Sequence, residues 1–320
     1  MIGIVILNFE NWLDTKRCIE SIRENPPQEA YRIILVDNAS VGQPPYDLAD
    51  FVEEHSVLLI RNKQNLGYNA GNNVGIVRAQ EIHCEFILIS NNDVQFTPGS
   101  IQRLCDDLKK DPGTGIAGPK IVGPKGQVQS CNLCRKTGMK EKYLVRTRAS
   151  VIFRKSRRTY FGLDRDEKSS FFVYAVLGCC FMMSAACAKK ITPLDEYPFL
   201  YEEELMLGIR MEQAGFRTVY DPKAVVMHIH GASTNRQRAF SFAHNVRSEI
   251  YYCRAYLEAE KWQICPLYAY RVLLYLIRCM KYRDFRRNWR YFISLTKHEL
   301  SKANSHKGTS SGHLERNTGR

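Results

Sequence analysis

The sequence predicts an α/β fold on a mainly parallel sheet, and two features of its 320 residues carry that prediction. Short apolar runs alternate with segments of helical length and polarity, the signature of βαβ units. Polar residues stand at the ends of those runs, where open α/β sheets bind their ligands.

The elements follow in order. Ile2 to Leu7 reads as the first strand: MIGIVILNFE has no basic leader and no small-residue cleavage site, and it meets Glu10 at once, so it is not a signal peptide. Ile33 to Val36, Leu58 to Arg61 and Phe86 to Ser90 are the next strands, with Trp12 to Asn25, Tyr46 to His55 and Asn69 to Glu81 as covering helices. After Pro119 the pattern loosens into a Gly- and Lys-containing stretch, which sets a subdomain boundary near Gly123. Strand character returns at Leu177 to Ser184 and Val225 to Met227, and between them a helix from Glu203 to Ala214 ends at Gly215, a C-cap residue. From Phe240 onward helices interleave basic and aromatic residues. The polar end beginning SKANSHKGTSSG is expected to be a disordered tail. The divisions are 1–123, 124–239, 240–300 and 301–320.

Hydrophobic content of 44% and charged content of 25% exclude a disordered chain, and no apolar run reaches the roughly 18 residues of a spanning helix. Eleven cysteines, an odd number without a tight framework, suit a reducing compartment, so the cytoplasm is the expected location. Cys131 and Cys134 form a lone C-x-x-C and are read as ordinary thiols. The net charge of +13 calls for an anionic partner: nucleic acid, an anionic lipid surface or a phosphorylated substrate. From Arg135 to Arg158 only Glu141 opposes the basic side chains, and a second cluster runs from Arg278 to Arg290. No groove-reading motif accompanies them, which sets nucleic acid aside.

Several strand ends carry residues with chemistry. Asp37, after IILV, either accepts from a base N–H or ribose hydroxyl or caps the following turn; local sequence supports both readings equally. In NLGYNAGNN, Gly67 and Gly71 permit a close backbone approach at a strand-to-helix junction. FILISNNDV delivers Asn91, Asn92 and Asp93 in succession, and strand alternation sends Asn91 and Asp93 to one side, a spacing suited to Mg2+ or Mn2+ and equally to a polar turn. The acidic start of YEEELMLGIRMEQAGF is favoured by the helix dipole, either as a solvated first turn or as part of a site. VVMHIHGAS places His228 and His230 two apart at a strand end, where an imidazole completes a metal site.

In order, VILNFENWLDTKRCIESI, VDNAS, NLGYNAGNNVGI, ISNNDV, LGCCFMMSA, FLYEEELMLGIRMEQAGF and VVMHIHGAS resemble the family 2 glycosyltransferases of GT-A fold, of the bacterial rhamnosyltransferase and capsule or O-antigen type. The resemblance covers roughly Met1 to Arg254. It implies a nucleotide-sugar-binding half over 1–123, an acceptor-binding half over 124–239 and a basic helical extension over 240–300. It implies that Asn8, Asp37, Arg61, Gly71 and Asn92 serve the nucleotide and that Asp93, Asn91 and His228 hold Mn2+ or Mg2+, with His230 as the alternative. Glu204 is implied as the base, with Glu203 second, and Gly178 and Cys179 lie beside the acceptor. The family's first metal-binding Asp is Asn91 here, and the later Asp of its acidic motif is Met206.

The implied activity is inverting transfer of a sugar from a UDP- or dTDP-linked donor to a glycan or lipid-linked glycan hydroxyl. The alternative is a catalytically impaired fold that only binds nucleotide sugar. The basic helix with Leu273, Ile277, Met280, Phe285, Trp289 and Phe292 either lies peripherally on the inner face of an anionic membrane or packs on the catalytic domain. Oligomeric state is not readable from the sequence.

Overall fold

The structure, a computed structural model, describes all residues except 130–132, 164, 166–167, 230–237 and 303–320. Its first four strands, β1 (Ile2–Asn8), β2 (Tyr31–Asp37), β3 (Leu58–Arg61) and β4 (Phe86–Asn91), are parallel and lie in the order β3-β2-β1-β4. Helices α1 (Trp12–Glu24), α2 (Leu48–Glu54) and α3 (Tyr68–Glu81) make the crossovers. Beyond β4 the sheet continues through β8 (Cys180–Ser184), β6 (Thr114–Val122), β9 (Arg217–His228) and β5 (Val94–Phe96), with β7 (Phe171–Val173) on β9. Strand β8 is antiparallel to both neighbours, whereas β6 and β9 are parallel.

Strand alternation divides the core. Ile4 and Ile6 face Ile19 and Ile22 of α1 and Leu104 of α4 (Ser100–Lys110), whereas Val5, Ile34, Val36 and Ile89 face Ile76 and Ala79 of α3. Helix α3 lies close because Gly75 has no side chain: a Cβ there would stand 2.2 Å from Val5 Cγ1.

The sequence reading missed β6 and most of β9. TGIAGPKIV and RTVYDPKAVVMH carry Gly, Pro and Asp-Pro signals that read as turns, yet in the structure Pro119 and Asp221 flank a register shift between two paired strands.

The second half adds α5 (Met139–Leu144), α6 (Arg154–Tyr160), α7 (Ala185–Ile191) and α8 (Glu203–Ala214). After the undescribed 230–237 come α9 (Arg238–Ala255), α10 (Lys261–Lys281), α11 (Arg283–Arg287) and α12 (Trp289–Ser301). These last helices form a core of their own with α8, and it contains Phe285 and Phe292. For those two the packed alternative holds, because the chain folds α11 and α12 back on α9; of the stripe Leu273, Ile277 and Met280 stay exposed, with Leu276 beside them. No described helix is long and apolar enough to cross a membrane. The expected disordered tail falls outside the described residues from 303 on.

Candidate active site

Chain order reverses at β1, which has β2 on one side and β4 on the other, and in open α/β sheets such a switch point is where the ligand crevice lies, beyond the strand ends. Register sets the residues there: Asn8 lies beside Asp37, Leu7 beside Asn91, and Asp37 beside Arg61. Asp37 is almost buried; its Oδ1 accepts from Ser40 N at 3.1 Å, and its Oδ2 faces Arg61 Nε at 3.8 Å. The Arg61 side chain is 53% exposed, so its guanidinium borders solvent in the crevice.

Asn8 is wholly buried and braces its neighbours. Its Oδ1 accepts from Thr15 Oγ1 and Asn92 Nδ2, both at 2.9 Å, and its Nδ2 donates to Ser40 Oγ at 3.2 Å and Asp37 Oδ1 at 3.4 Å. Asn92 Nδ2 also donates to Asn11 O and Thr15 Oγ1, so its NH2 group is engaged by protein. Gly71 is engaged by protein as well. It sits inside α3 with its N–H on Gly67 O, and a Cβ would meet Leu7 Cδ1 at 2.7 Å; its smallness serves helix-to-sheet packing. Asn38, beside Asp37 among the strand-end polar residues, ties this strand end to the NLG loop through Asn65 Oδ1, Gly67 O, Asn62 and Leu66 N.

Asn92 and Asp93 form a turn between β4 and β5, so strand alternation does not set their directions as the sequence argument assumed. Tertiary pairing brings Asp93 to its place instead: Val94 pairs with His228, and Ile229 N donates to Asp93 O at 2.9 Å. The result is His228 Nε2 at 3.1 Å from Asp93 Oδ1, with His228 Nδ1 at 3.0 Å from Gln129 Oε1. Both His nitrogens thus face acceptor oxygens. With Nδ1 turned to Gln129, Nε2 and the Asp93 carboxylate are placed so that one cation could lie between them. Two adjacent octahedral ligands at about 2.1 Å from an ion stand about 3 Å apart, which the observed spacing fits.

Asp14, on α1, adds negative charge: burial and the charge of Asp93 hold its carboxyl above the usual range. Among the described residues no group of three or more His, Cys, Asp or Glu side chains gathers as a complete metal cage, so substrate oxygens would have to supply remaining ligands. His230 lies outside the described residues.

The acidic start of α8 closes the crevice. Gly178 N donates to Glu204 Oε1 at 3.1 Å, and the Gly178 carbonyl accepts from the Tyr68 hydroxyl. A Cβ on residue 178 would meet Glu204 Oε1 at 3.3 Å, so glycine lets this loop press on the carboxylate. Burial raises both carboxyls. The Glu204 charge lifts Glu203 further, whereas hydrogen bonds from backbone N–H groups, Gly178 N among them, and the Arg146 charge restrain Glu204. Glu204 therefore ionises first. Glu203 Oε2 is buried without a hydrogen-bond partner, which suits a protonated carboxyl.

Cys179 joins the two ends of the site: its carbonyl accepts from Asn91 N at 2.8 Å, and both Asp93 and Glu204 act electrostatically on its thiol. Burial pushes that thiol well above its ordinary value, so it is no thiolate nucleophile. A continuous series of contacts thus runs from Asp37 through Asn8 and Asn92 to Asp93 and His228, and from Asn91 through Cys179 and Gly178 to Glu204.

Behind α8 lies a buried ion cluster hidden within the basic stretch of the sequence. Lys142 is fully buried, with Nζ 2.6 Å from Glu202 Oε2 and 3.4 Å from Glu249 Oε1. Arg146 approaches Glu202 at 3.6 Å, and Arg271 grips Glu249 at 2.7 and 2.8 Å. Tyr201 and Glu202 both adopt left-handed backbone, φ 72° and 68°, a costly conformation for two consecutive non-glycine residues that the cluster pins immediately before the site carboxylates.

A mostly parallel sheet of this order with C-terminal helices is the fold of the GT-A glycosyltransferases. The profile of Glycosyl transferase family 2 matches residues 3–184, and the chain belongs to that family; it is a glycosyltransferase.

Among its relatives is the N-acetylglucosaminyl-diphospho-decaprenol L-rhamnosyltransferase of Mycobacterium tuberculosis, 28% identical over 229 residues, which cover 68% of this chain and 72% of that one. The low-salt glycan biosynthesis hexosyltransferase Agl10 of Haloferax volcanii is 24% identical over 64% of this chain and 59% of its own. Of solved structures, GalNAc-T7 with UDP, GalNAc and Mn2+ superposes with a TM-score of 0.57 at 15% identity, covering 73% of this chain and 44% of that chain. Residues 1–349 of S. aureus TarS superpose with a TM-score of 0.50 at 10% identity over 78% of this chain and 65% of that one. At these identities the likeness is one of fold.

Proposed function

We propose that this glycosyltransferase moves a sugar from a UDP- or dTDP-linked donor to a hydroxyl of a glycan or lipid-linked glycan, with inversion and with Mn2+ or Mg2+, in bacterial surface polysaccharide synthesis. One observation supports the reading: pairwise contacts link Asp37 through Asn8 and Asn92 to the Asp93–His228 pair, and Asn91 through Cys179 and Gly178 to Glu204. The Mycobacterium relative, named for a diphospho-decaprenol acceptor, supports the acceptor class.

In this proposal Asp37 accepts from the base N–H, held in place by Asn8 and Ser40, while Arg61 offers its fork to the donor's phosphates. Asp93 and His228 hold the cation, with Asn91 as a weaker third ligand and Gln129 fixing the imidazole. When bound, the cation neutralises charge on the departing diphosphate. Glu204 takes the proton of the acceptor hydroxyl as its oxygen bonds to the anomeric carbon. The bond from that carbon to the phosphate oxygen breaks in the same displacement, and the diphosphate leaves with the electron pair.

The exposed Leu273, Leu276, Ile277 and Met280, with Val151 and Ile152 beside Arg154, Arg157 and Arg158, would rest peripherally on an anionic membrane at the cytoplasmic face.

The test is a panel of nucleotide sugars with and without Mn2+, read by thermal shift and by released nucleoside diphosphate. Selective stabilisation with metal-dependent release is expected. Binding with no release under any acceptor or metal condition would establish a binding-only protein instead.

A further inference from the structure

A cleft of about 530 Å3 opens among α9, α10 and α11, and Tyr201 forms part of its wall. Among the described residues three arginines line it, and no carboxylate does. Arg271 is committed to Glu249, but Arg238 and Arg278 have no hydrogen bond or ion pair with a described residue. They lie on aromatic faces instead: the Arg278 guanidinium is 4.3 Å from the Phe242 centroid and 5.6 Å from that of Phe285, and that of Arg238 is 5.4 Å from Tyr282. Stacking orients a guanidinium while leaving its N–H edge free for an oxyanion. Asp284, the carboxylate on α11, is occupied by Ala239 N and Asn288 Nδ2 at 2.8 Å each. Burial and the charges of Arg271 and Arg148 push Arg278 below its ordinary value, as expected of cations crowded without a counter-ion.

Tyr201 connects this cleft to the chemistry. It shares the cleft wall with Ser241, and its backbone leads through Glu202 directly into Glu203 and Glu204. An anion held by the arginines would therefore sit beside the segment that presents the base.

We propose that the cleft seats a phosphate or diphosphate ester of the acceptor, gripped by Arg238 and Arg278, so that the sugar attached to it reaches past Tyr201 to Glu204. This rests on the glycosyltransferase reading above and names the acceptor's charged handle. The same arginines would suit an anionic lipid headgroup, and the experiment separates the two sources.

The full chain, saturated with Mn2+ and with whichever of UDP or dTDP stabilises it, is titrated with farnesyl diphosphate, inorganic pyrophosphate and farnesol. Vesicles of equal parts phosphatidylcholine and phosphatidylglycerol are run in parallel. Farnesyl diphosphate and pyrophosphate should bind, farnesol should not, and Arg238→Gln or Arg278→Gln should each weaken diphosphate binding about tenfold or more. Arg278→Lys, which keeps the charge but loses the fork, should fall between. The nucleotide-induced thermal shift should be the same in every variant.

Undiminished farnesyl diphosphate affinity in Arg238→Gln, an exposed position that folding tolerates, overturns the proposal. So does loss of vesicle binding with diphosphate binding intact, which would make the cleft a headgroup site. If no nucleotide stabilises the wild type, the donor reading fails by itself, and the diphosphate titration still reports on the cleft.

Discussion

Glu204→Gln isolates the chemical step from everything that surrounds it. Gln keeps the acceptor oxygen that Gly178 N meets at 3.1 Å, so the loop and the adjoining Tyr68 contact should survive, and only the ability to take a proton is lost. A positioned general base contributes typically about 10² to 10⁴ in rate, or roughly 3–5 kcal/mol of barrier, and kcat should fall within that range. The wild-type pH profile should carry the same signature. Because burial raises the Glu204 carboxyl, with only partial relief from its backbone hydrogen bonds and from Arg146, activity should drop as pH falls through a value above the ordinary glutamate range. The assay is steady-state release of nucleoside diphosphate against pH, with nucleotide-induced thermal shift as the control for folding and donor binding. Turnover by Glu204→Gln within about tenfold of wild type, with an unchanged acid limb, would refute the assignment.

Asp93→Ala should abolish the Mn2+-dependent part of the nucleotide thermal shift, and His228→Ala should weaken it, since each removes one of two facing ligands 3.1 Å apart; titration of Mn2+ at fixed nucleotide measures this, and a retained shift in Asp93→Ala sinks the metal reading. Lys142→Met should destabilise the fold by about 3–5 kcal/mol in urea denaturation, because it strands Glu202 in the interior with only Arg146, at 3.6 Å, for relief. A loss below about 1 kcal/mol would mean that the cluster tolerates an unpaired charge. Burial alone would raise the Glu249 carboxyl, yet the charges of Lys142 and Arg271 and the Arg271 hydrogen bonds hold it down to about 2. The stability it contributes, about 3 kcal/mol at most, is fully present above its unfolded value and is lost as pH falls from there towards 2. Glu249→Gln should accordingly flatten the acid side of a stability-against-pH curve.

The first four strands were legible because each is a compact apolar run, which β1, β2 and β4 bury on both faces and the edge strand β3 buries in part. The polar residues at their ends were legible for the same reason, since a carboxylate or amide directly after such a run must emerge where the sheet stops. Strand β6 and the front of β9 were not, because Gly, Pro and Asp-Pro mark turns in isolation and a register shift only when a partner strand is present.

Within the site, sequence proximity did not reveal that Asn92 and Gly71 also serve the protein's own structure. Asn92 Nδ2 donates to Asn8, Asn11 and Thr15, and the missing side chain of Gly71 makes room for Leu7. Asp14 carried only a weak signal, an acidic residue in the first turn of α1, and acquired meaning from Asp93 beside it in space.

What the chain determined by itself is the order of elements and the kinds of side chain at each strand end, because burial and chain geometry act locally. Which of those side chains meet was decided by tertiary pairing. Val94 had to align with His228 before Asp93 could face an imidazole, and α8 had to dock under Gly178 before Glu204 gained its hydrogen bond. Lys142 makes the same point from the opposite side: read in sequence it is one more cation in a basic stretch, and only the burial of Glu202 and Glu249 beside it makes it a buttress of the segment leading into Glu203 and Glu204. Electrostatic meaning depends on distance and solvent exclusion, which no single segment of sequence contains.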